Sequence, residues 1–96
     1  MEINRSDYTV LIVDDVMSNV LLLKVLLSNE KFNIITANCG RRALEEAKEK
    51  KPDLLLLDVM MPDLSGFEVA QELKKDPELR DIPIIFLTAL NTTQDI

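Results

Sequence analysis

Two adjacent aspartates, Asp14 and Asp15, close one apolar run of the chain, and a third, Asp58, closes another. Carboxylates dominate the chemistry on offer, because the sequence contains no histidine. That absence removes Ser-His-Asp and Cys-His nucleophiles, imidazole-ligated zinc and any phosphohistidine carried by the chain itself. Three carboxylates brought within a few ångströms repel and raise one another's pKa unless a cation neutralises them. A hard divalent ion that prefers oxygen ligands meets the need, which means magnesium, and manganese suits the same donors. Calcium fits less well, since these acids without an EF-hand loop offer it too few oxygens. A carboxylate in such a site either binds the metal alone or also attacks phosphorus to become an acyl phosphate. The second role needs hydroxyl and amide donors for the phosphoryl oxygens, and Thr88 with Ala89, after a further apolar run, are candidates.

The elements that must position these groups are legible in the hydropathy pattern. Residues 8–13 (YTVLIV) predict a buried strand that ends in the aspartate pair. Residues 17–29 contain no Gly or Pro and predict a helix whose apolar face is wide enough to require good cover. Residues 32–37 (FNIITA) predict a second strand, broken by Asn38, Cys39 and Gly40. In residues 41–50, Ala43, Leu44 and Ala47 form a stripe suited to a sheet, and Lys50, Lys51 and Pro52 stop the helix. Residues 53–57 (DLLLL) predict a third strand, apolar on both faces.

Beyond Pro62, Ser65 and Glu68 have the spacing of a capping box. The helix they open is expected to reach about Lys75, to bury Phe67, Ala70 and Leu73, and to end at Asp76-Pro77. Residues 83–87 (PIIFL) predict a fourth strand, and residues 91–96 the start of another helix. Strands separated by helices imply right-handed crossovers and an α/β fold, a doubly wound parallel sheet. Ligands of such sheets bind outside the C-terminal ends of the strands, where all three aspartates fall. Neighbouring strand residues point to opposite faces, so Asp14 and Asp15 share a site only where the chain leaves the sheet. A lone aspartate after a strand is commonly a cap or a solvated loop residue. Asp7, Asp53, Asp63, Asp76, Asp81 and Asp95, at turns or solvated ends, are read that way, whereas the doublet plus Asp58 is not.

Composition narrows the function classes. At 47% apolar and 29% charged residues, 96 residues suit one globular domain. A net charge of −6 argues against direct nucleic-acid binding and against an anionic membrane surface. The apolar runs are too short to span a bilayer, and residues 1–7 are polar, so a cytoplasmic location is expected. Cys39 stands alone, so neither an intrachain disulfide nor a thiolate cluster can form.

Residues 10–15 (VLIVDD), 54–69 (LLLLDVMMPDLSGFEV) and 83–90 (PIIFLTAL) resemble the receiver domains of two-component response regulators, in register along essentially the whole chain. The resemblance implies a flavodoxin-like sheet of strand order 2-1-3-4, with the family's fifth strand and last helix missing from these 96 residues. It implies that Asp58 accepts a phosphoryl group from a sensor histidine kinase or a histidine phosphotransfer protein. Mg2+ is then held by Asp15 directly, by Asp14 largely through water, by Asp58 and by the backbone carbonyl of Met60. Thr88 and the amide of Ala89 contact the phosphoryl group, and Pro62 and Gly66 shape the loop after the acceptor.

The departure lies at the C-terminus, where the family's strand-five lysine and aromatic switch residue have no counterpart. Lys74 and Lys75 cannot replace that lysine, because they fall at the far end of a surface helix. Residues 1–96 are therefore expected to be a receiver domain incomplete at its C-terminus. Its fourth strand is expected to be an apolar sheet edge that invites self-association. One alternative is a receiver-like interaction domain that does no phosphotransfer; retention of the three aspartates and Thr88 argues against it. A metabolic phosphatase with an aspartyl-phosphate intermediate fits worse, since Met60 stands where such enzymes carry a second aspartate.

Overall fold

The computed structural model describes residues 8–28 and 30–87. Within them the chain runs β1 (Thr9–Val13), α1 (Met17–Ser28), β2 (Asn33–Ala37), α2 (Gly40–Lys50), β3 (Leu54–Asp58), α3 (Gly66–Lys74) and β4 (Ile84–Leu87). All strand pairings are parallel and the sheet order is β2-β1-β3-β4, as expected from the sequence. Residues 88–96, with the expected start of a further helix, lie outside the described residues.

The two apolar faces of the central strands give the fold its layers. Side chains alternate along a strand, so Leu11, Val13, Leu55 and Leu57 face α2 and α3, while Val10, Ile12 and Leu56 face α1. On the first side Ala43 and Ala47 are fully buried, and their small size lets α2 lie close to the sheet. Val69, Ala70 and Leu73 are the buried residues by which α3 joins the same core. Leu79 also enters this core, from a turn after α3 held by the amides of Leu79 and Arg80 on the Asp76 carbonyl (2.9 Å each).

The other side is thinly covered, against expectation. Only Val20 of α1 is buried, with Leu23 and Leu27 packed beside it, while Leu21 (54%) and Val25 (66%) are exposed. A helix apolar at most of its positions still has just one face that can meet the sheet. Phe67 corrects a second expectation: it is exposed rather than buried. The α3 positions that meet the sheet are 69, 70 and 73, which turns Phe67 onto the flank. There it packs on Phe86 of β4, with ring centroids 5.0 Å apart.

Helix ends follow their local chemistry. Ser65 Oγ accepts from the Glu68 amide at 3.2 Å, and Glu68 Oε1 accepts from the Ser65 amide at 2.9 Å, so the expected capping box is formed. Helix α2 closes on Lys51 in the left-handed region (φ 48), whose N–H bonds the Ala47 carbonyl.

Truncating Leu57, fully buried between α2, α3 and the sheet, is expected to cost about 3 kcal/mol as Leu57→Ala. Leu26→Ala, on the exposed side of α1, should stay within about 0.5 kcal/mol. Urea unfolding of both variants checks the contrast, and a costly Leu26→Ala would mean that α1 is covered.

Candidate metal centre

Register brings the aspartates together. Val13 pairs with Leu57 across β1 and β3, so the residues that follow, Asp14 and Asp58, emerge side by side at the C-terminal edge. Asp14 is still in the ladder, its amide donating to the Ala37 carbonyl at 3.2 Å, and it is only 2% exposed. Its side chain then turns the chain: Asp14 Oδ1 accepts from the Val16 amide at 2.9 Å, an Asx-type turn that carries Asp15 out of the sheet. Asn19 Nδ2 donates to Asp14 Oδ2 at 3.1 Å, fixing the second oxygen.

The result is a set of carboxylate oxygens from Asp14, Asp15 and Asp58 that all lie within 4.8 Å of one another. Their burial is graded: Asp14 buried, Asp58 half-buried, Asp15 exposed. Clefts open on both sides of Asp15. One, about 320 Å³, is lined by Asp14, Asp15, Asn38 and Arg42 among others. The other, about 380 Å³, is lined by Asp15, Met60, Pro62 and Ser65 among others. The Arg42 guanidinium is engaged by Glu45 and Glu46 of its own helix.

Burial first, and then the negative charge of Asp14, push the Asp58 carboxyl up to about 6, against the opposing pull of the Met60 amide at 3.2 Å. A strand-end carboxylate crowded by two others is a site short of positive charge. Oxygen donors of this number and spacing, one exposed and two sheltered, fit a hard divalent cation that keeps part of its water.

The structure thus brings Asp14, Asp15 and Asp58 together as the sequence predicted, with Met60 two residues beyond Asp58. Thr88 and Ala89 lie outside the described residues. Two further residues reach the site's surroundings without having been singled out. Asn19 had the appearance of helix surface; its position within a turn and a half of Asp14 was the available signal. Asp63, read as a solvated turn residue, accepts from the amides of Gly40 and Arg41 at 2.9 Å each. Those amides hold its carboxyl down at about 2. Asp53 and Asp76 are also more than solvated ends: Asp53 accepts from the Thr9 amide at 2.8 Å and Asp76 from that of Glu78 at 2.9 Å.

Residues 10–96 match the family model described as the response regulator receiver domain. The chain belongs to that family. Curated relatives of this receiver chain include the response regulator PleD of Caulobacter vibrioides, 45% identical over 86 residues, which are 90% of this chain and 19% of PleD. The receiver chain therefore spans under a fifth of that relative. Among solved structures, the N-terminal domain of a response regulator receiver protein from Methanoculleus marisnigri superposes with a TM-score of 0.82 at 41% identity. That match covers 85% of this chain and 67% of the other. TrrA from Thermotoga maritima, solved in complex with Mg(2+)-BeF, matches with a TM-score of 0.78 at 41% identity, over 84% of this chain and 69% of its own.

The raised Asp58 has a consequence for the metal-free chain. Its folded state binds the Asp58 proton more tightly than the unfolded chain does. That contribution is complete below the ordinary carboxylate range, near 4, and is lost as pH rises through about 6. Asp58→Asn, which mimics the protonated form, should therefore stabilise the chelator-treated protein at about pH 7.5. After discounting for solvent screening the gain is roughly 1 kcal/mol, or about 4–8 °C in melting temperature. Parent and variant should converge as pH falls to about 4; an offset that does not shrink on acidification would refute the account.

Proposed function

We propose that this receiver chain is a phosphoacceptor signalling module that takes a phosphoryl group onto Asp58 with Mg2+ held by Asp14, Asp15 and Asp58. The observation that carries this reading is the convergence of the three carboxylates at the adjacent ends of β1 and β3. The crystal form of TrrA with Mg(2+)-BeF supports the choice of ion. The donor is a phosphohistidine on a sensor kinase or a phosphotransfer protein. An Asp58 carboxylate oxygen attacks the phosphorus, the P–N bond breaks, and the imidazole departs as an acyl phosphate forms on Asp58. When bound, the magnesium ion neutralises charge shared between the carboxylates and the phosphoryl oxygens.

The chain's own residues set the stage for that step. The Met60 amide steadies the Asp58 carboxylate through Oδ1. Asn19 and the Val16 amide hold Asp14 in place. The Met60 carbonyl is assigned to the cation, and Thr88 with the Ala89 amide to the phosphoryl oxygens. No helix among the described residues is long and apolar enough to cross a membrane, and a cytoplasmic site of action is part of this reading.

Incubation with Mg2+ and phosphoramidate or acetyl phosphate should add the mass of one phosphoryl group, lost in Asp58→Asn and with chelator. Since no lysine follows Thr88 in these residues, the same measurement asks whether Asp58 reacts without the strand-five lysine of the family. No mass gain in folded protein would overturn autonomous phosphorylation of this chain.

Strand β4 is a sheet edge among the described residues, with Ile85 half exposed. We propose that the chain pairs there with a second copy, the usual fate of an unprotected apolar edge. Light scattering on the 96-residue chain should show mass rising with concentration, and Ile85→Lys should restore the monomer; a monomer throughout would exclude the pairing.

A further inference from the structure

The segment that joins Asp58 to α3, residues 59–65, carries the backbone of Met60 and is held at both ends. At its start the Met60 amide bonds Asp58 Oδ1. At its end the Gly66 amide donates to the Val59 carbonyl at 2.9 Å. The closure is so tight that a Cβ on Gly66 would sit 2.3 Å from the Asp58 carbonyl oxygen. Its middle is tied to a different element.

Helix α2 begins without a cap of its own. Cys39 stands at the N-cap position and its side chain makes no capping bond, which leaves the first amides in need of an acceptor. Asp63 supplies it from across the gap: Oδ1 accepts from Gly40 and Oδ2 from Arg41, both at 2.9 Å. A carboxylate at the positive end of a helix makes charge-assisted bonds that are shorter and stronger than neutral ones. The contact is close-packed as well, because a Cβ on Gly40 would meet the Leu64 Cβ at 2.7 Å. Helix α2 is anchored to the sheet through Ala43 and Ala47, so its N-terminus is a rigid post.

We propose that Asp63 is a positioning residue for the metal centre: by clamping loop 59–65 to the N-terminus of α2, it fixes the Met60 backbone beside Asp58 and so sets the affinity of the site for a divalent cation. This rests on the reading of Asp14, Asp15 and Asp58 as a cation site. A residue that only capped α2 would change stability and leave the metal alone.

Asp53 provides the control. Like Asp63 it is an aspartate that accepts a backbone amide, from Thr9 at 2.8 Å, but it lies just before β3, at the opposite end of the sheet. Mn2+ binding by titration calorimetry, with a melting curve for each sample, compares the parent chain with Asp63→Ala, Asp63→Asn and Asp53→Asn. Loss of a group that orients metal ligands weakens binding by roughly 10–100-fold. Asp63→Ala is expected at about tenfold, the low end, because Met60 supplies only one ligand. Asp63→Asn keeps one acceptor oxygen and should fall between parent and Ala, while Asp53→Asn should bind Mn2+ like the parent whatever its melting temperature. If Asp63→Ala does not fold, Asp63→Asn against Asp53→Asn decides.

Parent-like affinity in a folded Asp63 variant overturns the proposal. So does an equal loss in Asp53→Asn, which would make the effect one of general destabilisation. A parent chain that binds no Mn2+ overturns the cation site itself and this proposal with it, and so is told apart from failure of the clamp alone.

Discussion

Parallel pairing of β1 with β3 is the constraint on which the rest of this receiver depends. Because Val13 lies opposite Leu57, two carboxylates leave the sheet next to each other, and like charges that close are unfavourable without a cation. The apolar interior enforces the arrangement: Leu11, Ile12, Val13, Leu55 and Leu57 are all essentially inaccessible to solvent. A shift of one residue in register would turn each of them to the wrong face. Burial of the strands thus supplies the free energy that holds the aspartates together, and the repulsion is available to be relieved by a divalent ion.

The site is finished mainly by backbone amides, with the Asn19 side chain on Asp14 as the exception. Val16 donates to Asp14, Met60 to Asp58, and Gly40 with Arg41 to Asp63. Amides placed by turns and helix ends are fixed donors, so the carboxylates are oriented before any ligand arrives. The two glycines serve this economy of space. Neither needs an unusual φ; each lies where another segment passes too closely for a Cβ, Gly66 against the Asp58 carbonyl and Gly40 against Leu64.

The apolar surface is distributed unevenly. Among the described residues, the side of the sheet under α2 and α3 holds eleven buried residues, against four on the side under α1. On the thinner side α1, although richer in leucine, buries only Val20, while Phe67, turned aside because α3 meets the sheet through Val69, Ala70 and Leu73, finds Phe86 on a flank. The alternation of strands and helices, the parallel order, the capping box of Ser65 and Glu68 and the acid cluster were legible beforehand, because each is written in local spacing. Cover for α1 and burial of Phe67 were misjudged, because hydrophobicity says that a side chain seeks cover and not whether a neighbour is there to provide it.

What this sequence determined by itself is the chemistry and the scaffold. The missing histidines, the aspartates at 14, 15 and 58, and the period of the apolar runs leave few folds and few reactions open. Tertiary structure alone decided how the acids are held. Asp63, Asp53 and Asp76 are indistinguishable in sequence from solvated turn residues, yet each accepts a backbone amide, and Asp63 does so for a helix 22 residues away whose own N-cap residue cannot. The reason is physical: a capping bond depends on where an amide points in space, and for partners so distant along the chain only the packed fold sets that direction.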